Sequence, residues 1–507
     1  MIERIEPLRE RLRGWWESLD DKRRHFWKNV TIGLGLAVAL QCLELLGVLA
    51  PLKQFGLDWQ IATLSGEHHG ERVAFIDIDE ASELKFGAAG GPPPYFTPRD
   101  QLAKLIAAAV DAGAAAVVVD VDLSEPAGDP VREAYREVTG RPAAGDPAAI
   151  GRTLRALAKS PPASLDSVQR FFLADWQLSD YLASRTRACA AKPIAPLPGS
   201  CVPIILARPV GTSTTFKSVA LPSFLDAAAP RDSKGVFWGS VTFDHDPDFV
   251  VRRWRLWEPA CDVDGTSDVL PASALLAYAL GKPLTAGDDR VYDRSALQAT
   301  LAPADCRGVA AKSAPREPAV RDIALTTRGV ERTLRYFISW RDGVGPSLDE
   351  DIPADGVLVP GYKLDIDCRA ATSCVRGKRI VVIGSTYRNN GDFHRVPGGE
   401  MPGSLVLINE IDSLTSDHPV LHEAPVLLSL FLEAILVVGL AWAFMVFDPT
   451  FVLAAALLLT LGGLLGSSLL SLENGEWFDL AVPCIGIQIH EWVARAEHFR
   501  LRRGHAK

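Results

Sequence analysis

Long uninterrupted apolar runs stand at the two ends of this chain, and short ones punctuate its middle. Near the N-terminus NVTIGLGLAVALQCLELLGVLAPL (29–52) carries one charge, Glu44, and reaches the roughly 20 apolar residues a bilayer-spanning helix requires. Three more runs follow at 425–447, 450–472 and, more weakly, 477–493. The middle reads differently. VAFIDI (73–78), the segment 114–121 and KRIVVIGST (378–386) are short, β-branched and almost wholly apolar, the pattern of strands covered on both faces in a parallel sheet. Pro98 opens PRDQLAKLIAAAVDAGA, whose apolar positions recur at helical spacing up to Gly113, a residue suited to ending a helix. Strand, helix and strand across 72–121 make a βαβ unit with a right-handed crossover. A further helix is predicted at 403–414. The Ala- and Pro-rich stretch 127–203 predicts an insertion of short helices with flexible links, and 286–318 a second insertion with little periodicity.

The expected fold class is therefore α/β: a parallel-containing sheet with flanking helices in a large domain, 53–424, joined to an α-helical membrane region of four spans. Charge orients it. Arg9, Arg11, Arg13, Lys22, Arg23, Arg24 and Lys28 precede the first run, and the tail 494–507 is basic; such flanks stay on the cytoplasmic side. Both termini are then cytoplasmic, and 53–424 lies outside. A cleaved signal peptide is disfavoured, because the run exceeds the 7–15 apolar residues of a signal core and the polar leader is long. The segment 1–28, with Trp15 and Trp16 among its basic residues, suits docking on anionic lipid or a partner protein. Net charge of −9 without a basic block excludes nucleic acid as a partner. A kinase, cyclase or receiver domain after the last run is not expected.

Six of the eight cysteines, Cys189, Cys201, Cys261, Cys306, Cys368 and Cys374, fall in the 53–424 region, an even number that suits an oxidising compartment. Neighbours along the chain suggest Cys189 with Cys201, Cys261 with Cys306 and Cys368 with Cys374, although six cysteines allow 15 pairings.

Candidate chemistry gathers where strands end. Asp77 and Asp79, Asp120 and Asp122, and Ser385 and Thr386 follow the three strands, and parallel strands present such residues at one edge, where α/β ligands bind. Four carboxylates facing a hydroxyl-lined turn would suit a hard cation; the plainer alternative is that each acid caps a helix or turn. Asp392 and His394 lie in the loop after the third strand, where a histidine can respond to pH. Gly384-Ser385-Thr386 lacks the G-x-S-x-G nucleophile elbow. In FDHDPDF (243–249) the acids lack the spacing of a calcium loop and predict a hairpin turn, with Arg252 and Arg253 pairing across it at modest gain if exposed. Within the spans, Glu433 is a partner-contact candidate. Gly462 and Gly466 form a GxxxG face suited to homo-oligomer contact.

Several blocks together resemble the second type of CHASE domain, the extracellular sensory module of bacterial histidine kinases, adenylate cyclases and Ser/Thr kinases. They are VAFIDIDEASELKFG, YFTPRDQLAKLIAAAVDAGAAAVVVDVDLSEP, GSVTFDHDPDFVVRRWRL with LPASALLAYAL, and GKRIVVIGSTYRNNGDFHRVPGGEMPGSLVLINEIDSLTS. The resemblance covers about 72–422. It departs at Phe249, where the family has Gly, at GGPPPYF in place of an aromatic-rich loop, and at Leu407, often His. It implies a sensory domain in the bacterial inner membrane, facing the periplasm, with an extracytoplasmic ligand and no enzymatic activity of its own. The signal would pass to a separate cytoplasmic or membrane effector. A periplasmic metal-dependent hydrolase using the acidic edge, and a ligand-free scaffold subunit of a membrane complex, are the competing expectations. Neither ligand nor cofactor is legible.

Overall fold

The computed structural model describes residues 19–64, 72–87, 97–124, 350–367, 378–415, 422–423 and 426–447. It also describes 130–281 apart from 144–145, 163, 193–200, 212–218, 232 and 262–265, parts of 292–348, and isolated positions beyond 447. The chain divides into two units, Ser65–Asp417 and a second made of Met1–Leu64 with His418–Lys507.

In the first unit six strands form one sheet: β1 (Val73–Asp77), β2 (Val117–Val119), β3 (Ile204–Ala207), β4 (Val236–Gly239), β5 (Asp351–Pro353) and β6 (Ile380–Gly384). Their spatial order is β5-β1-β6-β2-β3-β4, and every pair is parallel. The near-continuous Val, Ile and Ala runs follow from this placement, since β1, β2, β3, β4 and β6 are buried at every residue. β1 and β2 are not neighbours. The late strand β6 lies between them, so Val73 to Asp77 pairs with Ile380 to Gly384 and Val117 to Val119 with Val381 to Ile383.

Five helices concern the site: α1 (Glu80–Gly87), α2 (Arg99–Asp111), α3 (Ser167–Cys189), α4 (Ser273–Gly281) and α5 (Gly403–Thr415). The apolar stripe Leu102, Leu105, Ile106, Ala109 of α2 packs with Ala74, Ile76 and Val119 in one core. Gly113 adopts φ +79 just after α2, a conformation that costs glycine least. α4 and the first ten residues of α5 are buried throughout.

The stretch 127–203 holds helices at Pro130–Thr139 and Pro147–Lys159, followed by α3, whose 23 residues exceed the short helices expected; residues 127–129, 144–145, 163 and 193–200 lie outside the described residues. Asp166 and Gln169 form a reciprocal capping box at the start of α3, which satisfies two otherwise orphaned N–H donors. Leu178 and Leu182 of α3 join the main core, while Leu173 and Trp176 pack with Ala134, Ile150 and Leu154 in a second one. Burial makes this segment a structural layer.

Cys189 and Cys201, 12 positions apart in sequence, form a disulfide. Closing a loop of about this size stabilises a fold by roughly 3 kcal/mol. Cys189→Ser combined with Cys201→Ser is expected to lower stability by about that amount, read as a fall in guanidinium midpoint. Cys261 is also disulfide-bonded. Cys306, Cys368 and Cys374 lie outside the described residues.

The middle block forms the predicted hairpin, Phe243–His245 antiparallel to Val251–Arg255. At its turn, where the resemblance expects glycine, Phe249 has φ +63, among the described residues the single non-glycine with positive φ, and its ring is exposed. The turn has kept the left-handed backbone that glycine serves. Phe249→Gly is accordingly expected to stabilise the domain by about 1 kcal/mol, measured by chemical unfolding; no gain would mean that the ring contributes a compensating contact.

In the second unit, the helix Asp21–Leu45 ends at a turn in which Gly47 has φ +75, and Ala50–Leu64 forms a separate helix. The expected continuous span 29–52 is therefore broken at residues 46–49, and among the described residues Phe26–Leu43 is long and apolar enough to cross a membrane. The second expected span, 425–447, coincides with the helix Val426–Val446. This helix packs on Asp21–Leu45 closely enough that a Cβ at Gly33 would meet Val437 Cγ1 at 2.5 Å. The Glu433 side chain, the spans 450–472 and 477–493, Gly462 and Gly466 fall outside the described residues.

Candidate functional site at the carboxyl edge of the sheet

Because all six strands are parallel, their carboxyl ends share one edge, and β1, β6 and β2 bring Asp77, Ser385–Thr386 and Asp120 side by side. The acids divide among separate partners. Asp77, buried, accepts from Thr386 N at 2.9 Å through Oδ1 and from Thr386 Oγ1 at 2.6 Å through Oδ2. Asp79 caps α1, its Oδ1 accepting from Ser82 N at 2.8 Å. Asp122 turns inward on its own loop, accepting from Ser124 N at 2.8 Å. No group of three or more His, Cys, Asp or Glu among the described residues has metal-ligating geometry.

Asp120 belongs to a different chain of contacts. Ser385 N donates to Ser404 Oγ at 3.1 Å, and Ser404 Oγ donates to Asp120 Oδ2 at 2.7 Å. Ser404 stands in the first turn of α5, so one hydroxyl ties β6, β2 and α5 together. The join is tight, since a Cβ on Gly384 would fall 2.2 Å from Ser404 Oγ. The Ser385 hydroxyl is itself committed, donating to the Ile78 carbonyl at 2.8 Å.

Asp392 sits directly over the start of α5. Its carbonyl accepts from Gly403 N at 2.9 Å, and its carboxylate lies where a Gly403 Cβ would be. His394 Nε2 contacts Asp392 Oδ1 at 2.9 Å, and His394 Nδ1 lies 3.4 Å from His245 Nε2. The Phe243 ring meets the His394 ring edge-on at 4.8 Å between centroids. His394 lies in a second hairpin, Phe393–Val396 antiparallel to Gly399–Pro402, and a parallel bridge from Val250 to Arg395 joins it to the first. With both its ring nitrogens occupied, His394 is not hydrogen-bonded to Ser385. The acid/base pair that a serine nucleophile needs is not assembled.

Electrostatics mark the same edge. Burial pushes the Asp77 carboxyl up to about 7, with the charges of Asp351 and Asp79 adding to the rise and the Thr386 bonds opposing it. Burial likewise pushes Asp120 up to about 7, reinforced by Asp392 and opposed by the Ser404 bond and His394. Glu410, two turns along α5 and fully buried, is raised well above the carboxylate range by burial and by Asp120. Strong perturbation of several neighbouring carboxyls is a signature of functional sites.

Three participants have no obvious signal in the sequence. Ser404 hides inside MPGSLVL, readable only as a first-turn hydroxyl. Glu410 falls in GSLVLINEIDSLT beside Asn409 and Asp412, where nothing local marks it as the buried acid. Arg99 opens α2 and is buried, donating to the Asp122 carbonyl at 2.9 Å and lying 4.0 Å from Asp175 on α3.

An α/β domain built on an all-parallel central sheet, with polar groups gathered at its carboxyl edge, is the class of fold that takes ligands there. Residues 34–446 match the CHASE2 domain, and the chain belongs to this family of extracellular sensory domains. The match begins within the helix Asp21–Leu45 and ends with the helix Val426–Val446. No curated protein and no solved structure matches the chain.

Proposed function

We propose that this chain is a membrane-anchored, extracytoplasmic sensor subunit, without enzymatic activity of its own, that reads a ligand at the Asp77–Thr386 and Asp120–Ser404 edge and signals to a separate effector. The observation that carries this is continuity. β6 supplies Ser385 and Thr386, α5 supplies Ser404, and α5 leads along the chain to the helix Val426–Val446, which packs on the N-terminal helix. A ligand that prefers one arrangement of β6 against α5 shifts that equilibrium by its differential affinity, and the paired helices carry the difference inward. The basic flank and the basic tail support cytoplasmic termini, and the disulfide supports an oxidising exterior.

Two measurements test the reading. A protease site placed in 286–318 of the full chain is expected to be cut from outside intact cells whose outer membrane has been opened. Protection there, with cutting only after lysis, overturns the topology. Cross-linking and co-purification from native membranes is expected to return a cytoplasmic or membrane effector whose output changes with Ser404→Ala. Co-purification of that effector with unchanged output in Ser404→Ala argues instead for a scaffold subunit.

A further inference from the structure

The helix Ala50–Leu64 presents apolar side chains in two directions. At 100° per residue, Pro51, Leu52, Phe55 and Trp59 fall on one stripe roughly 100° wide, and Phe55 is 68% and Trp59 38% exposed. Leu57 and Ile61 fall on the other side, where Ile61 is buried at 3% exposure. Ile61 is thus packed against the protein, while the side of Phe55 keeps apolar surface exposed. That exposed apolar surface continues into the preceding turn, where Leu46 and Val48 are 76% and 60% exposed.

The chain itself says what covers this stripe. The turn follows directly on the candidate span Phe26–Leu43, whose own Val38 and Leu43 are exposed. Eighteen helical residues rise about 27 Å, close to the roughly 30 Å of a bilayer's hydrocarbon core. The turn at 46–49 therefore falls at the boundary where hydrocarbon gives way to headgroups. Gln54 and Asp58, half-buried beside the stripe, rule against immersion in the core, whereas an indole with an apolar body and a polar N–H suits the headgroup level.

We infer that Ala50–Leu64 is an interfacial helix, lying on the outer leaflet with Phe55 and Trp59 seated among phospholipid headgroups and upper acyl chains. This rests on the proposed crossing of Phe26–Leu43. It assigns the segment after the span a lipid-binding role beyond ligand sensing: the anchor is a bent pair of helices, one crossing the membrane and one lying on it.

The test uses the full chain in native membranes with a photoreactive benzoylphenylalanine placed singly at Val38, Phe55, Trp59 or, as a control inside the sensory domain, exposed Tyr362. Irradiation is expected to give phospholipid adducts at Val38, Phe55 and Trp59 and none at Tyr362. Lipid adducts at Val38 without any at Phe55 and Trp59 overturn the interfacial helix while leaving the span intact. A cross-link from Phe55 to a second copy, in place of lipid, overturns it in favour of a dimer contact. Absence of lipid adducts at Val38 removes the span beneath it and sinks both ideas together.

Discussion

Arg252→Met is expected to cost this domain about 3 kcal/mol, the lower end of the penalty for breaking a buried ion pair, because Asp246 loses one of two arginine partners and keeps Arg253. The Arg252 side chain is 2% exposed, and its guanidinium bonds Asp246 Oδ2 at 2.9 Å and Asp248 at 2.9 and 2.7 Å. Asp246, 6% exposed at its side chain, also pairs with Arg253. Pairing across this hairpin was readable from FDHDPDFVVRR, but a modest gain applies to exposed pairs, and burial reverses the scale. Asp248, held below the usual carboxylate range chiefly by its hydrogen bond to Arg252, should titrate upward in the variant. Replacing both ends, Arg252→Met with Asp246→Leu, should recover part of the loss, because removing a whole buried pair is much less costly than halving it. Equal losses in the single and double variants, measured by chemical unfolding, would show that the pairing contributes little.

The second large effect is an increase of stability on mild acidification. Asp77, Asp120 and Glu258 are each pushed up to about 7, in every case first by burial. A folded-state pKa raised above the unfolded value means that the native state binds more protons than the unfolded chain between the two. Stability therefore falls as pH rises across roughly 4 to 7, and it is restored as pH falls through the same window. A tenfold change in proton affinity is about 1.4 kcal/mol, so moving Asp77 from 3.8 to about 7 represents on the order of 4 kcal/mol for this 6% exposed group. The unfolding free energy at pH 5 should exceed that at pH 8 by on the order of several kcal/mol in total, read by chemical unfolding. Asp77→Asn keeps an acceptor for Thr386 N while removing the charge, so it should gain stability at pH 8 and little at pH 5. A flat profile between pH 5 and 8 would contradict the burial of these carboxyls.

Much of the architecture was written in local patterns. VAFID, VVV and IVVIG announce themselves as strands covered on both faces, and the 98–113 helix as an amphipathic layer on them. β3, β4 and β5 were harder to see because Pro203 and Pro209 flank Ile204–Ala207, Gly235 and Gly239 bound the apolar part of Val236–Gly239, and Asp351–Pro353 carries one aliphatic residue. Their strand character comes from parallel neighbours distant in sequence. The acids of the site were visible for the same local reason, as polar residues closing apolar runs. Their partners were not, since Asp77 meets Thr386 and Asp120 meets Ser404 across some three hundred residues. Only the strand order decides which hydroxyl faces which carboxylate. Asp79 and Asp122 look the same as Asp77 and Asp120 in sequence, yet they serve a helix cap and a turn.

The position of β6 has a consequence for biosynthesis. The strand at the middle of the sheet comes almost last in the chain, so until residue 384 has been made, β1 and β2 each keep an unsatisfied inner border. A nascent chain of nearly four hundred residues must wait in that state, exposing the strand edges that invite mispairing. Assembly of this domain is thus closer to a single late closure than to stepwise growth, and its demand for chaperoning should peak just before that closure.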